Sequence, residues 1–260
     1  MDDSYSLHPR KMREHFSWFV DIHSHVVPSG DDGAQTVADG RALSREAARH
    51  GTAILFATPH VWPHLVLTEE REREVREAYE QVARGAGLEL RLGYELTPTA
   101  VLLDEDPQRY VLEGTDVVLV EVPFMGAADI LVALCEHIEA AGLRPVIAHP
   151  ERTESVLERP SLARDLVERG WQLQANATSL LGKHGPEIEA LGWELIDDGL
   201  IAIVASDGHR TTRPPQLDEA YRVVALRVGE TRARSLFDGS ALDVSVSERQ
   251  LPSRAAARGA

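Results

Sequence analysis

Two histidines one residue apart, followed by a pair of aspartates, form the first group of residues that could do chemistry. They lie in the segment DIHSHVVPSGDDG, residues 21–33. Alternate side chains of an extended strand share a face, so His23 and His25 could reach one metal ion together. Either Asp31 or Asp32 could add a carboxylate oxygen from the following loop. The segment therefore predicts a polynuclear hydrolytic metal centre.

Residues that commonly bind metal recur at the ends of other apolar runs, in the segments ATPH, GYE, VEVP, AHPE and ASDGH. Mixed imidazole and carboxylate sets suit manganese, iron or zinc better than calcium or magnesium. Two or three such ions can share a hydroxide and clamp a phosphoryl group, so we predict hydrolysis of a phosphate ester. The candidate ligands are His23, His25, Asp32, His60, Glu95, Glu121, His149, Asp207 and His209.

Arginines follow two of these segments. Arg152 ends AHPER, and Arg210 and Arg213 lie in HRTTRPP. A guanidinium close to a metal-bound phosphate would neutralise charge and orient oxygens, and we predict this role for Arg152 and Arg213 rather than Arg210. Cys135 lies in a helical pattern and not in a phosphate-cradling loop, so we predict a core residue instead of a nucleophile.

The composition restricts the class of protein. A formal net charge of −15 over 260 residues argues against broad nucleic-acid binding, which needs lysine and arginine. A single cysteine excludes an internal disulfide framework. The apolar stretches have the length of strands, and no charged leader precedes a long one. We therefore expect no membrane insertion and a cytoplasmic location.

The hydrophobic pattern alternates short aliphatic runs with amphipathic segments, which is typical of an α/β protein with parallel strands. Such proteins carry their chemistry at the carboxyl ends of the strands. We expect one domain over residues 18–245, an N-terminal extension over 1–17 and a flexible tail over 246–260. The predicted strands are 18–25, 53–60, 88–95, 116–123, 144–151, 171–178 and 201–209. The predicted helices are 36–50, 69–84, 127–142, 160–169, 186–197, 214–227 and 230–237.

The motifs DIHSHVVPSGDDG, ATPH, GYE, VEVP, VIAHPER, LQANATSLLG and ASDGHRTTRPP, in this order and spacing, resemble the polymerase and histidinol phosphatase (PHP) superfamily. Within it, the chain is most similar to the bacterial metal-dependent protein-tyrosine phosphatases of capsular and exopolysaccharide gene clusters. The resemblance implies a distorted (β/α)7 barrel with three divalent ions, usually manganese, with iron, zinc or cobalt as alternatives. It also implies that all nine candidates bind metal, with Asp32 preferred to Asp31, and that Arg152 and Arg213 bind phosphate.

The activity implied by the resemblance is removal of phosphate from a tyrosine autokinase of polysaccharide assembly, through attack of a metal-bridging hydroxide on phosphorus. Three divalent ions would outweigh four carboxylate ligands, so an acidic chain could still attract phosphate. Three alternatives remain open: a small-molecule phosphatase, for example for histidinol phosphate; a phosphodiesterase; and a regulatory protein that binds without turnover. The oligomeric state is not predicted.

Overall fold

The computed structural model describes residues 18–122 and 129–246. The predicted N-terminal extension, residues 1–17, lies outside the described residues, and so does the predicted tail except for its first residue. Within the described ranges, short strands alternate with helices along the chain, as the hydrophobic pattern predicts. The predicted α/β class is therefore confirmed.

The strands are parallel and form two sheets, with the orders β1-β2-β4 and β3-β5-β6-β7-β8-β9. Each of the seven predicted strands is present, although each is shorter than its apolar run. The two-residue strands β3 and β5 were not predicted. The bounds are β1 Phe19–Asp21, β2 Thr52–Ala57, β3 His60–Val61, β4 Glu89–Leu92, β5 Glu95–Leu96, β6 Val117–Glu121, β7 Arg144–Ala148, β8 Gln172–Asn176 and β9 Ile201–Ala205.

Backbone contacts between the loop after β1 and the loop after β9 join the two sheets. A parallel bridge pairs Ser24 with Gly208, and the Asp207 amide donates to the His23 carbonyl at 2.9 Å. On the other side, β4 leads through two residues into β5, which belongs to the larger sheet. The result is the distorted α/β barrel that the resemblance implies, with its hydrogen-bonded ladder interrupted between the sheets.

Helices cover the outside of the strands. Thr36 is the N-cap residue of helix α1, Val37–Arg49, and forms a capping box. The Thr36 hydroxyl accepts from the Asp39 amide, and the Asp39 carboxylate accepts from the Thr36 amide. The prediction missed the short helices α4 and α6. The bounds are α1 Val37–Arg49, α2 Glu69–Ala83, α3 Asp129–Ala140, α4 Glu154–Glu158, α5 Ser161–Glu168, α6 Ala177–Leu180, α7 Pro186–Asp197, α8 Asp218–Val228 and α9 Glu230–Phe237. Four 3-10 turns cover Ala100–Asp104, Pro107–Tyr110, Pro150–Arg152 and Ser240–Leu242.

The strands are buried on both faces, as expected for a parallel sheet under helices. In β6, Leu119 faces the barrel interior, whereas Val118 packs in the larger core between strands and helices. Leu242 and Val244 join the interior cluster from the C-terminal end of the described chain. Cys135 is fully buried on α3, and burial raises the pKa of its thiol, which confirms its predicted place in the core.

Strand ends near the bridge between Ser24 and Gly208 carry polar residues, whereas the interior cluster behind them is apolar. This distribution leaves one rim of the barrel as the place where ligand-type side chains collect. Among the helices of the described ranges, none combines the length and the apolar character required to cross a bilayer.

Candidate metal centre

Seven of the nine predicted ligands lie at the carboxyl ends of strands or in the loops that follow them, and His60 and Glu95 begin the two-residue strands β3 and β5. Eight of the nine residues are buried, and Asp32 is exposed. They are His23, His25 and Asp32 after β1, His60 in β3, Glu95 in β5, Glu121 at the end of β6, His149 after β7, and Asp207 and His209 after β9. Residues almost two hundred positions apart in the chain therefore meet at one rim.

Glu95 lies at the centre of this group. Its Oε2 atom is 2.9 Å from His60 Nδ1, 3.0 Å from His23 Nε2 and 3.3 Å from His25 Nε2. Its Oε1 atom is 2.9 Å from His149 Nε2. A carboxylate accepts but does not donate, and a neutral imidazole nitrogen facing it needs a proton or a cation in the contact. The four imidazoles around Glu95 thus form a pocket that requires positive charge.

Seven of the nine residues fall into three overlapping groups, each of which could hold one ion. In each group the ligand atoms lie within 4.8 Å of one another. The groups are His25, His60 and His209; His23, His25 and Asp207; and His23, Glu95 and His149. Because His23 and His25 each belong to two groups, ions bound there would be close neighbours.

Asp32 and Glu121 lie beside these groups. Asp32 Oδ1 is 3.2 Å from His209 Nε2 and 3.7 Å from His60 Nε2. Glu121 is buried and accepts a hydrogen bond from the Thr97 hydroxyl. Burial and the charge of Glu95 raise the pKa of the Glu121 carboxyl.

Asp31, the other half of the aspartate pair, has a different set of partners. Its Oδ1 atom accepts from the Gly33 amide at 3.0 Å, and its Oδ2 atom accepts from the His60 amide at 3.1 Å and from His25 Nδ1 at 3.3 Å. Asp31 therefore orients His25 and closes the loop. The geometry favours Asp32 as the aspartate that faces the histidines.

The tautomers of two histidines follow from their partners. The Asp31 carboxylate accepts from His25 Nδ1, and the Asp207 carbonyl accepts from His209 Nδ1 at 2.8 Å. Because neither acceptor carries a proton, both Nδ1 atoms must be protonated. In the neutral imidazoles, the Nε2 lone pairs then face the centre, which is the arrangement that a metal ligand requires.

The electrostatics of the carboxylates agree with a cation site. Burial opposes the ionisation of Glu95 and Asp207, yet the neighbouring histidines hold the pKa of each well below its usual range. Both side chains are thus ionised near neutral pH, and they place negative charge where burial alone would exclude it.

The histidines divide into two kinds. Burial lowers the pKa of His23 and His25, but Glu95, Asp207 and, for His25, Asp31 outweigh burial and raise it. Burial and the charge of His25 lower the pKa of His209 to about 4. Without a metal, protons on His23 and His25 thus balance the buried carboxylates. A divalent cation could replace those protons.

The residues fit one or more transition-metal ions. His60 Nδ1 and Glu95 Oε2 are buried and make no hydrogen bond of good geometry, although they are 2.9 Å apart. Orphaned buried polar atoms are costly unless a ligand satisfies them. Imidazole and carboxylate donors together are the set preferred by manganese, iron and zinc.

Both predicted phosphate-binding arginines lie beside Asp207. Arg152 Nη1 donates to Asp207 Oδ2 at 2.7 Å, and Arg213 Nη1 is 3.8 Å from the same oxygen. Arg210 instead donates to the Asp32 carbonyl at 2.9 Å and is exposed. Two guanidinium groups therefore flank the centre on one side, and the assignment of phosphate to Arg152 and Arg213 rather than Arg210 stays a prediction.

Comparison with known proteins identifies the family. The family described as "Capsular polysaccharide synthesis, CpsB/CapC" matches residues 19–244. The chain belongs to the CpsB/CapC family. Among its relatives is the tyrosine-protein phosphatase YwqE of Bacillus subtilis (strain 168), 33% identical, with 86% of this chain and 90% of YwqE covered.

Two further similarities agree with this membership. The tyrosine-protein phosphatase CpsB of Streptococcus agalactiae serotype III (strain NEM316) is 29% identical, with 84% of this chain and 94% of the relative covered. A solved structure of YwqE from B. subtilis and CpsB from Streptococcus pneumoniae, described as "unique metal-dependent tyrosine phosphatases", superposes with a TM-score of 0.75. It is 32% identical and covers 84% of this chain and 90% of that chain.

The sequence analysis did not single out His184, a further histidine near this centre. Its Nε2 atom is 2.9 Å from the Thr178 hydroxyl. Burial and the charges of Arg152 and Arg213 lower the pKa of His184 to about 4, so its ring lies within the field of both arginines. No sequence signal separates His184 from an ordinary surface histidine, because it follows an irregular segment after α6.

Two of the three non-glycine residues with positive φ in the described ranges lie at the rim of this barrel. His149 and Asp207 have φ angles of 35° and 51°, which non-glycine residues rarely adopt. His149 directly follows β7, and Asp207 lies two residues after β9. Strain of this kind persists only where the surroundings fix the conformation, and it is common at functional sites.

Proposed function

We propose that this chain is a metal-dependent protein-tyrosine phosphatase that acts on a phosphotyrosine protein of capsular or exopolysaccharide assembly. The observation that carries the proposal is the buried Glu95 carboxylate among four imidazoles, with two arginines on the adjacent Asp207. The carboxylate among the imidazoles suits cations, and the two arginines suit an anion. A phosphate monoester bound to metal needs both.

We assign three divalent ions to the nine residues that the resemblance implies, with manganese as the expected metal. When bound, such ions supply positive charge for the phosphate and activate water for attack on phosphorus. The protein positions its donors for this task through outer partners: Asp31 fixes His25, and the Asp207 carbonyl fixes His209. Asp32 would approach from the loop, beside His60 and His209.

Arg152 and Arg213 are assigned to the phosphoryl oxygens. A guanidinium presents several N–H donors in one plane, a geometry that suits the oxygens of a phosphate, and Arg152 Nη1 already points into the centre toward Asp207 Oδ2. Its side chain is 17% exposed and that of Arg213 is 24% exposed, so solvent and substrate reach both. These groups would stabilise the charge that builds up on the equatorial oxygens.

The expected partner is a bacterial tyrosine autokinase in the cytoplasm. Support comes from the CpsB/CapC description of capsular polysaccharide synthesis and from the tyrosine-protein phosphatase names of the relatives. A phenolate is a tolerable leaving group, so the proposal does not require a dedicated acid at the site.

The test combines metal analysis of the purified full chain with parallel turnover assays. The substrates are a phosphotyrosine peptide, histidinol phosphate and a phosphodiester. We expect bound transition metal and preferential release of phosphate from the peptide. A preference for histidinol phosphate would transfer the proposal to small-molecule phosphatases, and cleavage of the diester alone would refute it. A metal-loaded chain that hydrolyses none of the three would support a binding protein without turnover.

A further inference from the structure

Strand β8 carries two buried amide side chains that connect candidate ligands from opposite sides of the centre. His23 Nδ1 lies 2.9 Å from Gln174 Oε1, and Gln174 Nε2 donates to Asn176 Oδ1 at 2.8 Å. Asn176 Nδ2 then donates to Asp207 Oδ2 at 2.7 Å. Gln174 and Asn176 are both fully buried. We call these two side chains the amide relay.

The direction of every hydrogen bond in the amide relay follows from the Asp207 carboxylate. Asp207 Oδ2 accepts from Arg152 Nη1 at 2.7 Å, and a guanidinium can only donate, so Oδ2 is an acceptor and Asn176 must donate to it through Nδ2. The Asn176 Oδ1 atom then faces Gln174, which must donate through Nε2. Only the carbonyl oxygen of Gln174 remains for His23, so His23 Nδ1 must be protonated.

The consequence at His23 concerns which nitrogen can bind metal. With Nδ1 protonated in the neutral ring, Nε2 carries the lone pair. His23 Nε2 is the atom that lies 3.0 Å from Glu95 Oε2 and 3.2 Å from His25 Nε2. The side-chain carbonyl of Gln174 thus fixes the protonated nitrogen of His23, as the Asp31 carboxylate does for His25, but it adds no charge.

The consequence at Asp207 concerns its two oxygens. Asn176 and Arg152 both donate to Oδ2, each at 2.7 Å. Oδ1 faces three imidazoles, at 3.3 Å from His209 Nδ1, 3.4 Å from His25 Nε2 and 3.5 Å from His23 Nε2. The amide relay therefore turns one oxygen of Asp207 toward the protein and leaves the other for the centre.

The backbone around β8 holds the amide relay in place. The backbone carbonyl of Gln174 accepts from the His149 backbone amide at 2.7 Å, and the Asn176 backbone amide donates to Glu151 Oε1 at 3.0 Å. Both side chains point to the same side, because residues two apart share a face of a strand. The backbone of neither residue can move without breaking a hydrogen bond to the residues that follow β7.

We propose that Gln174 and Asn176 are positioning residues that fix, from one strand, the tautomer of His23 and the orientation of Asp207, and so set the metal affinity of the centre. This inference rests on the proposed metal centre. Partners that orient metal ligands from outside typically contribute about 10- to 100-fold to metal affinity or activity.

Gln174→Met and Asn176→Leu remove the hydrogen bonds with little change in side-chain size. The matched control is Gln172→Met on the same strand, because the Gln172 amide donates to the Ala241 carbonyl at 2.9 Å and takes no part in the relay. The probe is Mn²⁺ alone, titrated into each metal-free full-length variant. We expect about 10- to 100-fold weaker Mn²⁺ binding for the relay variants and wild-type binding for Gln172→Met.

The two relay variants should also be non-additive. Asn176 determines which way Gln174 points, so the double variant should lose less than the product of the two single losses. Gln174→Glu provides a conservative rescue, because a carboxylate still accepts from His23 Nδ1. We expect it to retain more Mn²⁺ affinity than Gln174→Met.

A spectroscopic measurement separates this positioning role from a general loss of stability. In proton NMR of the metal-free protein, His23 Nδ1–H should be a hydrogen-bonded, slowly exchanging ring proton in wild type and Gln172→Met, because it donates to Gln174 Oε1. Gln174→Met removes the acceptor, so this proton should exchange rapidly and its signal should be lost. A slowly exchanging His23 Nδ1 proton together with wild-type Mn²⁺ affinity in Gln174→Met would overturn the inference.

Neither readout requires turnover. A wild-type chain that binds Mn²⁺ and hydrolyses no phosphate ester would contradict the proposed phosphatase activity and leave the amide relay intact. An active phosphatase in which Gln172→Met weakens Mn²⁺ binding as much as Gln174→Met would contradict the relay alone.

Discussion

Replacement of Arg152 by alanine provides a quantitative test of the anion-binding side of the centre. Two unit charges about 4 Å apart near a protein surface interact by about 4 kcal/mol. If the whole interaction were specific to the transition state, it would be worth about a thousandfold in rate. The 17% exposure of the Arg152 side chain and binding in the ground state reduce this value. We therefore expect Arg152→Ala to lower kcat/KM for a phosphotyrosine peptide by about 10²- to 10³-fold.

The same substitution should leave the protein folded. Arg152 donates a charge-assisted hydrogen bond to Asp207, and a bond of this kind is worth about 1.5–3 kcal/mol. Asp207 Oδ2 keeps its bond to Asn176 and has Arg213 at 3.8 Å, so the carboxylate is not orphaned. The loss is smaller than the typical unfolding free energy of about 5–15 kcal/mol. Urea denaturation at saturating metal measures this loss.

Arg210→Ala is the control, because Arg210 follows β9 at the same rim but donates to a backbone carbonyl and is exposed. We expect nearly wild-type kcat/KM for this variant and an intermediate loss for Arg213→Ala. Equal losses for Arg152→Ala and Arg210→Ala would refute the reasoning. So would a loss in Arg152→Ala that disappears when activity is normalised to bound metal, because Arg152 would then act only by holding Asp207.

Three further predictions follow from the contacts at the rim. Glu95→Gln keeps the side-chain shape but removes the charge, so Mn²⁺ affinity in a titration should fall at least about 100-fold; wild-type affinity would contradict the central place of Glu95. A Cβ at Gly33 would lie 2.4 Å from the His25 carbonyl oxygen, so Gly33→Ala should lose about 1–3 kcal/mol in denaturant unfolding, whereas Gly192→Ala, with a 3.2 Å contact, should lose less. The pKa of His184 is lower in the folded chain than in the unfolded chain, so the unfolded chain takes up a proton first as the pH falls. His184 should therefore reduce the folding stability as the pH falls from about 6.5 to about 4. The metal-free His184→Gln variant should show a flatter decline in urea midpoint over that range.

The sequence predicted most of the fold, because its strands and helices are locally encoded. Parallel strands under helices are apolar on both faces, so each strand is visible as a continuous aliphatic run, such as IAIVA before Asp207. The missed elements are those without a local pattern. β3 and β5 contain two residues each, and pairing with a neighbouring strand, not their own composition, makes them strands.

The site was predictable to a similar degree, because a parallel barrel places the residues at its strand ends on one rim. The position of Glu95 among four imidazoles could not be predicted, since it depends on the relative height of β5, β1 and β7. Nor could the sequence alone choose between Asp31 and Asp32. Adjacent loop carboxylates point in different directions, and only the folded loop directs Asp31 to His25 and Asp32 to His209.

The sequence by itself determined the α/β class, the rim on which chemistry occurs and the types of side chain available there, because these depend on periodicity and on local order along the chain. The tertiary structure decided the partners. Gln174 and Asn176 are ordinary polar residues of a strand until β8 lies between β7 and β9 and places them between His23 and Asp207. Hydrogen-bond direction, tautomer and pKa depend on distances of about 3 Å between residues far apart in sequence, and only the folded arrangement of the strands fixes those distances.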